Sequence, residues 1–371
     1  MRILFCRSNP IAPDPRVEKE AAALADFGHE VQAIAWDRSG ELPATEKISS
    51  FQVHRLAIRA AFGHGIGNLP ALLKWQFGLL TWLIRERRTY DTIHACDFDT
   101  ILPAIACKLL FGKLVVYDIF DFYADHLRAT PTLLKTLIRK LDLFIIGLAD
   151  ATILVDEARR KQIDGSHPRQ LIYIYNSPED SIPAPSGMEK SSGFRIVYVG
   201  LLQRERGLLE LLEVVAKHPD WQLDLAGFGG DEAQIHDRAL PLANVTWHGR
   251  IAYTETLHLS QQANALIATY DPSILNHRFS SPNKVFEAMM LAKPIVVAQD
   301  TNMDIAITEN ECGIVVPYAN VQALEQVLLR LANEPELRVT LGQNGRKAYE
   351  TKYGWSIMKT RLLNLYQNLS R

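Results

Sequence analysis

Short apolar runs alternate with amphipathic stretches of helical period along the whole chain. In the first half these runs predict seven strands: Arg2 to Cys6, Val31 to Ala35, Phe51 to Arg55, Thr92 to Ala95, Leu114 to Asp118, Ala151 to Val155 and Leu171 to Tyr175. Asp14 and Pro15 predict the start of a first helix, and Phe27 and Gly28 its end. Strands that alternate with helices are typical of βαβ units and of parallel sheets. The pattern therefore predicts an α/β fold.

A stretch rich in Pro, Ser and Gly interrupts the alternation between Glu179 and Gly193, and the pattern then restarts. Six more strands are predicted: Phe194 to Val199, Trp221 to Ala226, Asn244 to His248, Ala265 to Ala268, Pro294 to Ala298 and Gly313 to Val316. We expect two Rossmann-like domains, residues 1–178 and 194–350, joined by the linker 179–193. Because such sheets bind ligands at the carboxyl ends of their strands, two facing domains would hold a ligand in the cleft between them. Residues 351–371 predict a final helix, which we expect to cross back to the N-terminal domain.

Net charge and cysteine content limit the partners and the cellular compartment that we expect. The 371 residues carry a formal net charge of −2, so we do not expect nucleic acid as a partner. The four cysteines form no CxxC pair, which fits a reducing compartment and gives neither a disulfide framework nor a zinc site. The first apolar run ends at Arg7 and is too short for a secretion signal. We therefore expect a cytoplasmic protein.

Several short sequence motifs are spaced along both halves of the chain. In the second half they are Val199–Gly207 (VGLLQRERG), Gly227–Gly229 (GFG), His248–Arg250 (HGR) and Ser281–Pro294 (SPNKVFEAMMLAKP). In the first half they are Asp14–Val17, Gly28–Val31, His94–Asp97 and Tyr175–Ser177. Together they resemble the family-4 nucleotide-sugar glycosyltransferases of the GT-B fold, over nearly the whole chain. The resemblance implies an N-terminal acceptor domain, a C-terminal nucleotide domain and retention of anomeric configuration.

Two basic residues are the candidates for stabilising a diphosphate leaving group. As the glycosyl bond breaks, negative charge develops there, and cations and helix N-terminal amides can stabilise it. Arg206 follows a predicted strand, and Lys284 begins a predicted helix. Glu287 stands one turn further, where the resemblance implies that it binds the ribose hydroxyls. The alternatives are a surface pair of Lys284 with Glu287 and a solvated Arg206.

The remaining donor contacts follow from the same motifs. We expect backbone groups of Arg250 and Ile251 to bind the base, and the other donor-binding residues to be Gly200, Gly227, Gly229, Ser281 and Asn283. The loops after the first strand of each half lack G-x-G-x-x-G, which argues against a dinucleotide oxidoreductase.

Three positions depart from the family pattern. Phe279 stands where many members have a first glutamate, Phe120 where relatives often have a histidine, and Leu201 where the phosphate arginine usually follows the glycine. Arg206 is therefore expected to carry more of the phosphate charge. In retaining transfer the departing phosphate itself can deprotonate the acceptor, so a protein base is not obligatory.

Polar groups near the reacting sugar and acceptor are expected from three residues of the first half. Asp97 and Asp121 are the candidate catalytic carboxylates, and Arg16 with Asp97 the candidate acceptor contacts. Both carboxylates could instead cap helices. We expect neither a metal nor another cofactor, because Arg206 and Lys284 supply the compensating charge. His94 is expected to be a packed residue rather than a ligand.

Two basic apolar stretches, residues 69–88 and 133–140, suit an interfacial helix on anionic lipid, although both could be core helices with solvated charged faces. We therefore expect a glycosyltransferase that moves a sugar from a nucleotide diphosphate to a lipid-linked glycan acceptor. We expect the enzyme to work at the inner face of the cytoplasmic membrane. The function would be surface polysaccharide or glycoconjugate synthesis. A nucleotide-sugar epimerase and a non-catalytic nucleotide-sugar-binding subunit are the alternatives.

Overall fold

The computed structural model describes residues 1–11, 13–60, 68–127, 130–181 and 193–370. They form two compact units. The N-terminal unit contains residues 1–175 and 358–371, and the C-terminal unit contains residues 176–357. The chain end therefore belongs to the first unit. Most of the predicted linker 179–193 lies outside the described residues.

The N-terminal unit is built on an eight-stranded sheet. Its strands are β1 (Arg2–Arg7), β2 (Glu30–Asp37), β3 (Thr45–Ile48), β4 (Phe51–Ala57), β5 (Thr92–Cys96), β6 (Leu114–Ile119), β7 (Ala151–Leu154) and β8 (Leu171–Tyr173). The strand order is β3-β4-β2-β1-β5-β6-β7-β8, and β3 alone runs antiparallel to its neighbour. Its helices are α1 (Pro15–Asp26), α2 (Leu69–Arg85), α3 (Phe98–Phe111), α4 (Tyr123–His126) and α5 (Thr132–Ile146), with a 3-10 helix at Glu157–Ile163.

The local sequence determines where helix α1 begins and ends. The Asp14 side chain accepts a hydrogen bond from the backbone N–H of Val17, and Pro15 occupies the first helical position. These are the N-cap and N1 preferences of helices. The helix ends at Asp26, and Gly28 then adopts a φ of 97°, which favours glycine. The predicted boundaries of this helix are confirmed.

The C-terminal unit has a six-stranded parallel sheet. Its strands are β9 (Arg195–Leu201), β10 (Gln222–Phe228), β11 (Val245–Gly249), β12 (Ala265–Ala268), β13 (Ile295–Ala298) and β14 (Gly313–Val316), in the order β11-β10-β9-β12-β13-β14. Its helices are α6 (Leu208–Lys217), α7 (Glu232–Ala239), α8 (Tyr253–Gln261), α9 (Leu275–Arg278), α10 (Asn283–Met290), α11 (Met303–Glu309), α12 (Val321–Asn333) and α13 (Pro335–Ala348). A 3-10 turn lies at Arg204–Arg206, a π-helical turn at Tyr349–Tyr353, and α14 (Trp355–Leu369) follows.

The predicted α/β class with two Rossmann-like parallel sheets is confirmed, and each predicted strand has a counterpart. Strand β3 was not predicted. Its sequence, TEKI, is exposed at three positions and half-buried at the fourth, so it lacks the apolar alternation that marks a strand. As an antiparallel edge strand, β3 extends the sheet by pairing with β4 and buries little side-chain surface.

Helices α2 and α5 each bury some of their apolar residues and expose others. Trp75, Leu79 and Leu83 of α2 are buried in the core of the N-terminal unit. Leu69, Leu73 and Phe77 of α2 and Leu133 and Leu137 of α5 are exposed. Trp75 of α2 is fully buried and therefore packs in the core, as expected if this stretch is a core helix. Among the described residues, no helix has the length and hydropathy needed to cross a bilayer.

Candidate functional site

In the C-terminal unit, a group of cations and aromatic rings lies at the carboxyl ends of β9 and β12. Lys284 is the second residue of α10, and its Nζ lies 3.9 Å from the ring centroid of Tyr198 and 5.6 Å from that of Tyr270. The guanidinium carbon of Arg206 lies 3.7 Å from the ring centroid of Tyr270. The structure therefore brings together the two predicted phosphate cations around one tyrosine ring.

Each of the two cations has a buried nitrogen atom. Within the described ranges, Nζ of Lys284 and Nε of Arg206 have no hydrogen-bond partner and almost no solvent exposure. Burial, with the nearby charge of Arg206, lowers the pKa of Lys284 to about 7, and Glu287 opposes this shift. A buried, unpaired cation is unfavourable unless an anion compensates it. The cluster is therefore preorganised for an anionic ligand.

Local backbone structure sets the position of each cation. Arg206 ends a 3-10 turn that Gly207 closes with a φ of 67°, and its carbonyl accepts a hydrogen bond of 3.1 Å from Oγ1 of Thr269. Lys284 lies at the N-terminus of α10, after the N-cap Pro282. The first amides of a helix have no intrahelical acceptor and carry the positive end of its dipole. The helix therefore adds to the positive potential at Lys284.

Glu287 lies one turn further along α10 and is nearly buried. Its Oε1 accepts a hydrogen bond of 3.0 Å from the hydroxyl of Tyr253, the first residue of α8. Burial and the neighbouring Glu287 carboxylate raise the pKa of Tyr253, so the phenol stays protonated and able to donate. Glu287 is thus held in one orientation by a residue that the sequence analysis did not identify.

The glycines of the predicted donor set serve packing as well. Gly200 and Gly227 are register partners at the ends of β9 and β10, with φ values of 150° and 146°. A Cβ on Gly200 would meet Nζ of Lys284 at 2.8 Å, and one on Gly227 or Gly229 would clash with the backbone of the adjacent strand end. Gly200 therefore allows Lys284 to approach the end of β9 closely, and Gly227 and Gly229 allow the backbones that follow β9 and β10 to approach each other.

The other predicted donor residues lie at the same edge of this sheet. The guanidinium carbon of Arg250 lies 4.6 Å from the ring centroid of the exposed Phe228. Ile251 follows β11. Asn283 is the first residue of α10, and Ser281 lies just before that helix. The carbonyl of Ser281 accepts a hydrogen bond of 3.0 Å from Asn176. Phe279 follows α9 and is half-buried, and Leu201 is exposed at the end of β9.

In the N-terminal unit, Asp97 and Asp121 meet after β5 and β6. Oδ1 of Asp97 accepts hydrogen bonds from the N–H groups of Phe120, at 2.8 Å, and Asp121, at 3.3 Å. Its Oδ2 forms a short ion pair with Arg7. Burial raises the pKa of Asp97 to about 6, and the Arg7 charge opposes this shift. Asp121 is more exposed and pairs with Arg159 at 2.9 Å.

Asp97 has a backbone conformation that non-glycine residues rarely adopt, with φ 64° and ψ 170°. Such conformations persist only where surrounding contacts impose them, and they cluster at functional sites. The ion pair with Arg7 and the two amide contacts impose it here. The sequence pattern could not reveal this strain at Asp97.

Arg16 lies inside the N-terminal unit rather than at its surface. Its guanidinium donates to both oxygens of Asp118, at 2.9 and 3.1 Å, and to the carbonyl of Ile174, and it lies 3.2 Å from Glu20. These contacts favour a structural role over the expected acceptor contact, because the hydrogen-bonding groups are directed inward.

The ring of Phe120 lies against two guanidinium groups. Its centroid is 4.2 Å from the guanidinium carbon of Arg7 and 4.9 Å from that of Arg16. A phenyl ring cannot move a proton, so Phe120 packs between two cations and supplies no base.

His94 is fully buried, and its ring stacks on Phe5 at 4.2 Å. Ligand atoms of Glu20, His94 and Asp118 lie within 4.8 Å of one another, a spacing that a metal ion could use. Arg16 already pairs with both carboxylates, and this cation neutralises much of the charge that would attract a metal. The cluster is thus best explained as a buried ion-pair network.

Comparisons with known proteins agree with this division into two units. A model described as a glycosyl transferase 4-like domain matches residues 13–176, and one described as glycosyl transferases group 1 matches residues 185–348. The capsular polysaccharide biosynthesis glycosyltransferase CapM of Staphylococcus aureus is 26% identical over 192 residues, which are 47% of this chain and 46% of CapM. In CapM and two further curated relatives, the match spans only 42 to 60% of the relative's length.

Solved structures resemble the chain over nearly its full length. Sucrose-phosphate synthase from Thermosynechococcus elongatus has a TM-score of 0.82 at 18% identity, covering 100% of this chain and 99% of that one. HepE from Anabaena, in complex with UDP-glucose, has a TM-score of 0.74 at 14% identity, covering 99% of this chain and 100% of that one. At these identities the likeness establishes the fold.

Proposed function

The chain belongs to the GT-B glycosyltransferases, with a 4-like domain followed by a group 1 domain, and from this premise we propose that it transfers a sugar from a nucleotide diphosphate to a glycan acceptor. The observation that carries the proposal is the buried Nζ of Lys284, which has no hydrogen-bond partner among the described residues and lies beside Arg206. A diphosphate would provide the anion that this cluster lacks. In support, HepE has been solved with UDP-glucose bound.

Each residue of the cluster has a part in this proposal. Lys284, Arg206 and the first amides of α10 bind the diphosphate and stabilise the charge that it gains as the glycosyl bond breaks. Glu287, oriented by Tyr253, accepts hydrogen bonds from the ribose hydroxyls. The backbone at Arg250 and Ile251 binds the base. Because two cations already compensate the diphosphate, we expect transfer without a divalent metal.

We propose that transfer proceeds with retention. The acceptor oxygen attacks the anomeric carbon on the face from which the phosphate departs, and the bond between that carbon and the phosphate oxygen breaks. The acceptor proton passes to the departing phosphate, which leaves as a nucleoside diphosphate. This route suits a chain in which Phe120 supplies no base. Asp121, the more exposed of the two carboxylates, and the strained Asp97 are the proposed acceptor contacts.

The acceptor is proposed to be a growing glycan on a lipid carrier in surface polysaccharide or glycoconjugate synthesis, in the cytoplasm at the inner face of the membrane. The name of CapM, a capsular polysaccharide glycosyltransferase, supports the polysaccharide part of this proposal. A lipid carrier would present its sugar at a membrane surface, so the enzyme would have to work there.

A thermal-shift screen with UDP, GDP, ADP and dTDP, followed by their sugars, tests the donor class. A ligand present at 100 times its Kd stabilises a protein by about 2.7 kcal/mol, so the cognate nucleotide should raise the melting temperature clearly. If nucleoside diphosphate is released only when an acceptor is added, the result supports transfer of the sugar to that acceptor. Conversion of the sugar without any acceptor would instead identify an epimerase, and binding without turnover on any acceptor a non-catalytic subunit.

A further inference from the structure

Helix α5 (Thr132–Ile146) exposes a continuous apolar face. The side chains of Leu133, Leu137 and Phe144 are 85%, 62% and 66% exposed, values that belong to solvent-facing residues. At about 100° per residue, these positions and the exposed Leu134 and Leu141 fall within one arc of about 100° on the helix surface. An uninterrupted row of this kind on a protein surface marks an interaction site.

The inward face of α5 shows that this exposure is not an incidental feature of a loosely packed helix. Ile145 and Ile146 are buried in the core of the N-terminal unit. Asp142 is also buried and accepts a hydrogen bond of 2.8 Å from the hydroxyl of Tyr117. The helix is therefore anchored by one side, while Leu133, Leu134, Leu137 and Leu141 point outward.

A lysine borders the apolar arc, and no exposed carboxylate of α5 accompanies it. By the same helical geometry, the exposed Lys140 lies about 20° outside one edge of the arc. Arg139 lies on the other side of the helix and pairs with Asp125 at 3.3 Å. The only acidic residue of the helix, Asp142, is buried. Protein interfaces contain few Lys, whereas an apolar face of Leu and Phe bordered by Lys is typical of a helix lying in a lipid headgroup region.

An apolar cavity extends this surface. Beside the second half of α5 lies a cavity of about 430 Å³. It is lined by Lys140, Leu143, Phe144, Gly147, Leu148, Gly165 and His167, a set without a carboxylate. Helix α3, which packs against both α2 and α5, also exposes Leu109 and Leu110.

We propose that the N-terminal unit docks on an anionic lipid bilayer through α5, with Leu133, Leu137 and Phe144 entering the headgroup region and Lys140 contacting lipid phosphates. This inference deepens the proposed function, since a lipid-linked acceptor lies at such a surface, but it is argued from the helix itself. Helix α2, the other stretch expected to contact lipid, exposes three large apolar residues, Leu69, Leu73 and Phe77, whereas α5 exposes five.

Cosedimentation with vesicles tests the docking surface on the full-length protein. Vesicles of phosphatidylcholine alone are compared with vesicles that also contain one quarter phosphatidylglycerol. We expect the wild type to bind the anionic vesicles and salt to weaken that binding. The double variant Leu133→Gln with Leu137→Gln should lower the partition coefficient at least about tenfold, because two exposed leucines no longer enter the lipid. The matched control is Leu240→Gln with Ile305→Gln, two exposed apolar residues of the C-terminal unit, which should bind like the wild type.

A charge variant separates lipid from a protein partner. Lys140→Glu should reduce binding to anionic vesicles about tenfold or more and leave binding to phosphatidylcholine nearly unchanged, because each charge near an anionic surface changes the binding energy. Its matched control is Lys347→Glu, the same reversal at an exposed lysine of the C-terminal unit, which should bind nearly like the wild type.

Three results would overturn the proposal. They are a wild type that stays in the supernatant, a leucine variant that binds like the wild type, and a leucine variant that converts a dimer into a monomer without any vesicle binding. Nucleotide thermal shifts of each variant should match the wild type. Their absence in the wild type would count against the proposed function and not against docking.

Discussion

The hydroxyl of Tyr253 donates a 3.0 Å hydrogen bond to Oε1 of Glu287. The two residues lie 34 positions apart and belong to α8 and α10. A carboxylate that must accept hydrogen bonds from a ribose needs a fixed orientation, and the phenol provides it. Tyr253 is therefore a positioning residue for the proposed donor site.

Tyr253→Phe should raise the KM for the donor about fivefold, with a smaller effect on kcat, because loss of one hydrogen bond is worth about 1 kcal/mol. Steady-state kinetics over a range of donor concentrations measure this. Tyr90→Phe is the matched control, since Tyr90 also loses a buried hydrogen bond, to the carbonyl of Leu83, in the N-terminal unit. An unchanged donor KM in Tyr253→Phe would show that Glu287 does not depend on the phenol.

Donor affinity should decrease as the pH rises above about 7. Burial lowers the pKa of Lys284 to about 7, so the free protein increasingly holds a neutral amine above that pH. A diphosphate binds the ammonium form, and the affinity should fall by up to about tenfold per pH unit. The range from 7 to 9 lies above the last ionisation of a terminal phosphate, near pH 6. Calorimetric titration across this range measures the profile, and Lys284→Gln should flatten it.

Lys284→Met should stabilise the unliganded protein at neutral pH. The folded pKa lies below the ordinary value of 10.5, so the unfolded chain binds more protons between about pH 7 and pH 10. Wild-type stability should therefore rise with pH across that window relative to the variant. Removing the unpaired cation should stabilise the protein at pH 7 by about 1 to 3 kcal/mol. Urea unfolding of both proteins checks this, and a less stable variant at pH 7 would contradict it.

Asp97 should tolerate glycine better than alanine. Both substitutions remove the ion pair with Arg7 and the contacts to the amides of Phe120 and Asp121, but only glycine adopts φ 64° and ψ 170° without strain. Asp97→Gly should be more stable than Asp97→Ala by about 1 to 3 kcal/mol. Thermal unfolding of the pair measures the difference, and equal stabilities would show that the backbone relaxes at no cost.

The predicted α/β architecture was accessible from sequence because buried parallel strands are continuous apolar runs. Arg206 and Lys284 could be chosen because each lies where a strand ends or a helix begins, and such positions share one edge of a parallel sheet. The aromatic partners were harder to find. Tyr198 lies near the end of β9 and Tyr270 just after β12, where their hydrophobicity alone is equally consistent with packing.

Two features depend on geometry that no local pattern contains. The conformation of Asp97 results from contacts with Arg7, 90 positions earlier, and with the amides after β6. The amphipathic pattern of α5 predicts a helix with an apolar face, but it does not reveal that its leucines face outward. Arg16 is the converse case, since a cation in a first helical turn suggests an anionic ligand, whereas its partners are the buried Asp118 and Glu20.

The affinity of Lys284→Ala for a nucleoside diphosphate tests the diphosphate site most directly. Calorimetry at pH 7 compares the wild type, Lys284→Ala and the exposed control Lys347→Ala with whichever of UDP, GDP, ADP and dTDP the wild type binds most tightly. We predict that Lys284→Ala binds at least about tenfold more weakly, a loss of at least about 1.4 kcal/mol, while Lys347→Ala binds like the wild type. Equal affinity of Lys284→Ala and the wild type would contradict the assignment of this buried cation to the diphosphate.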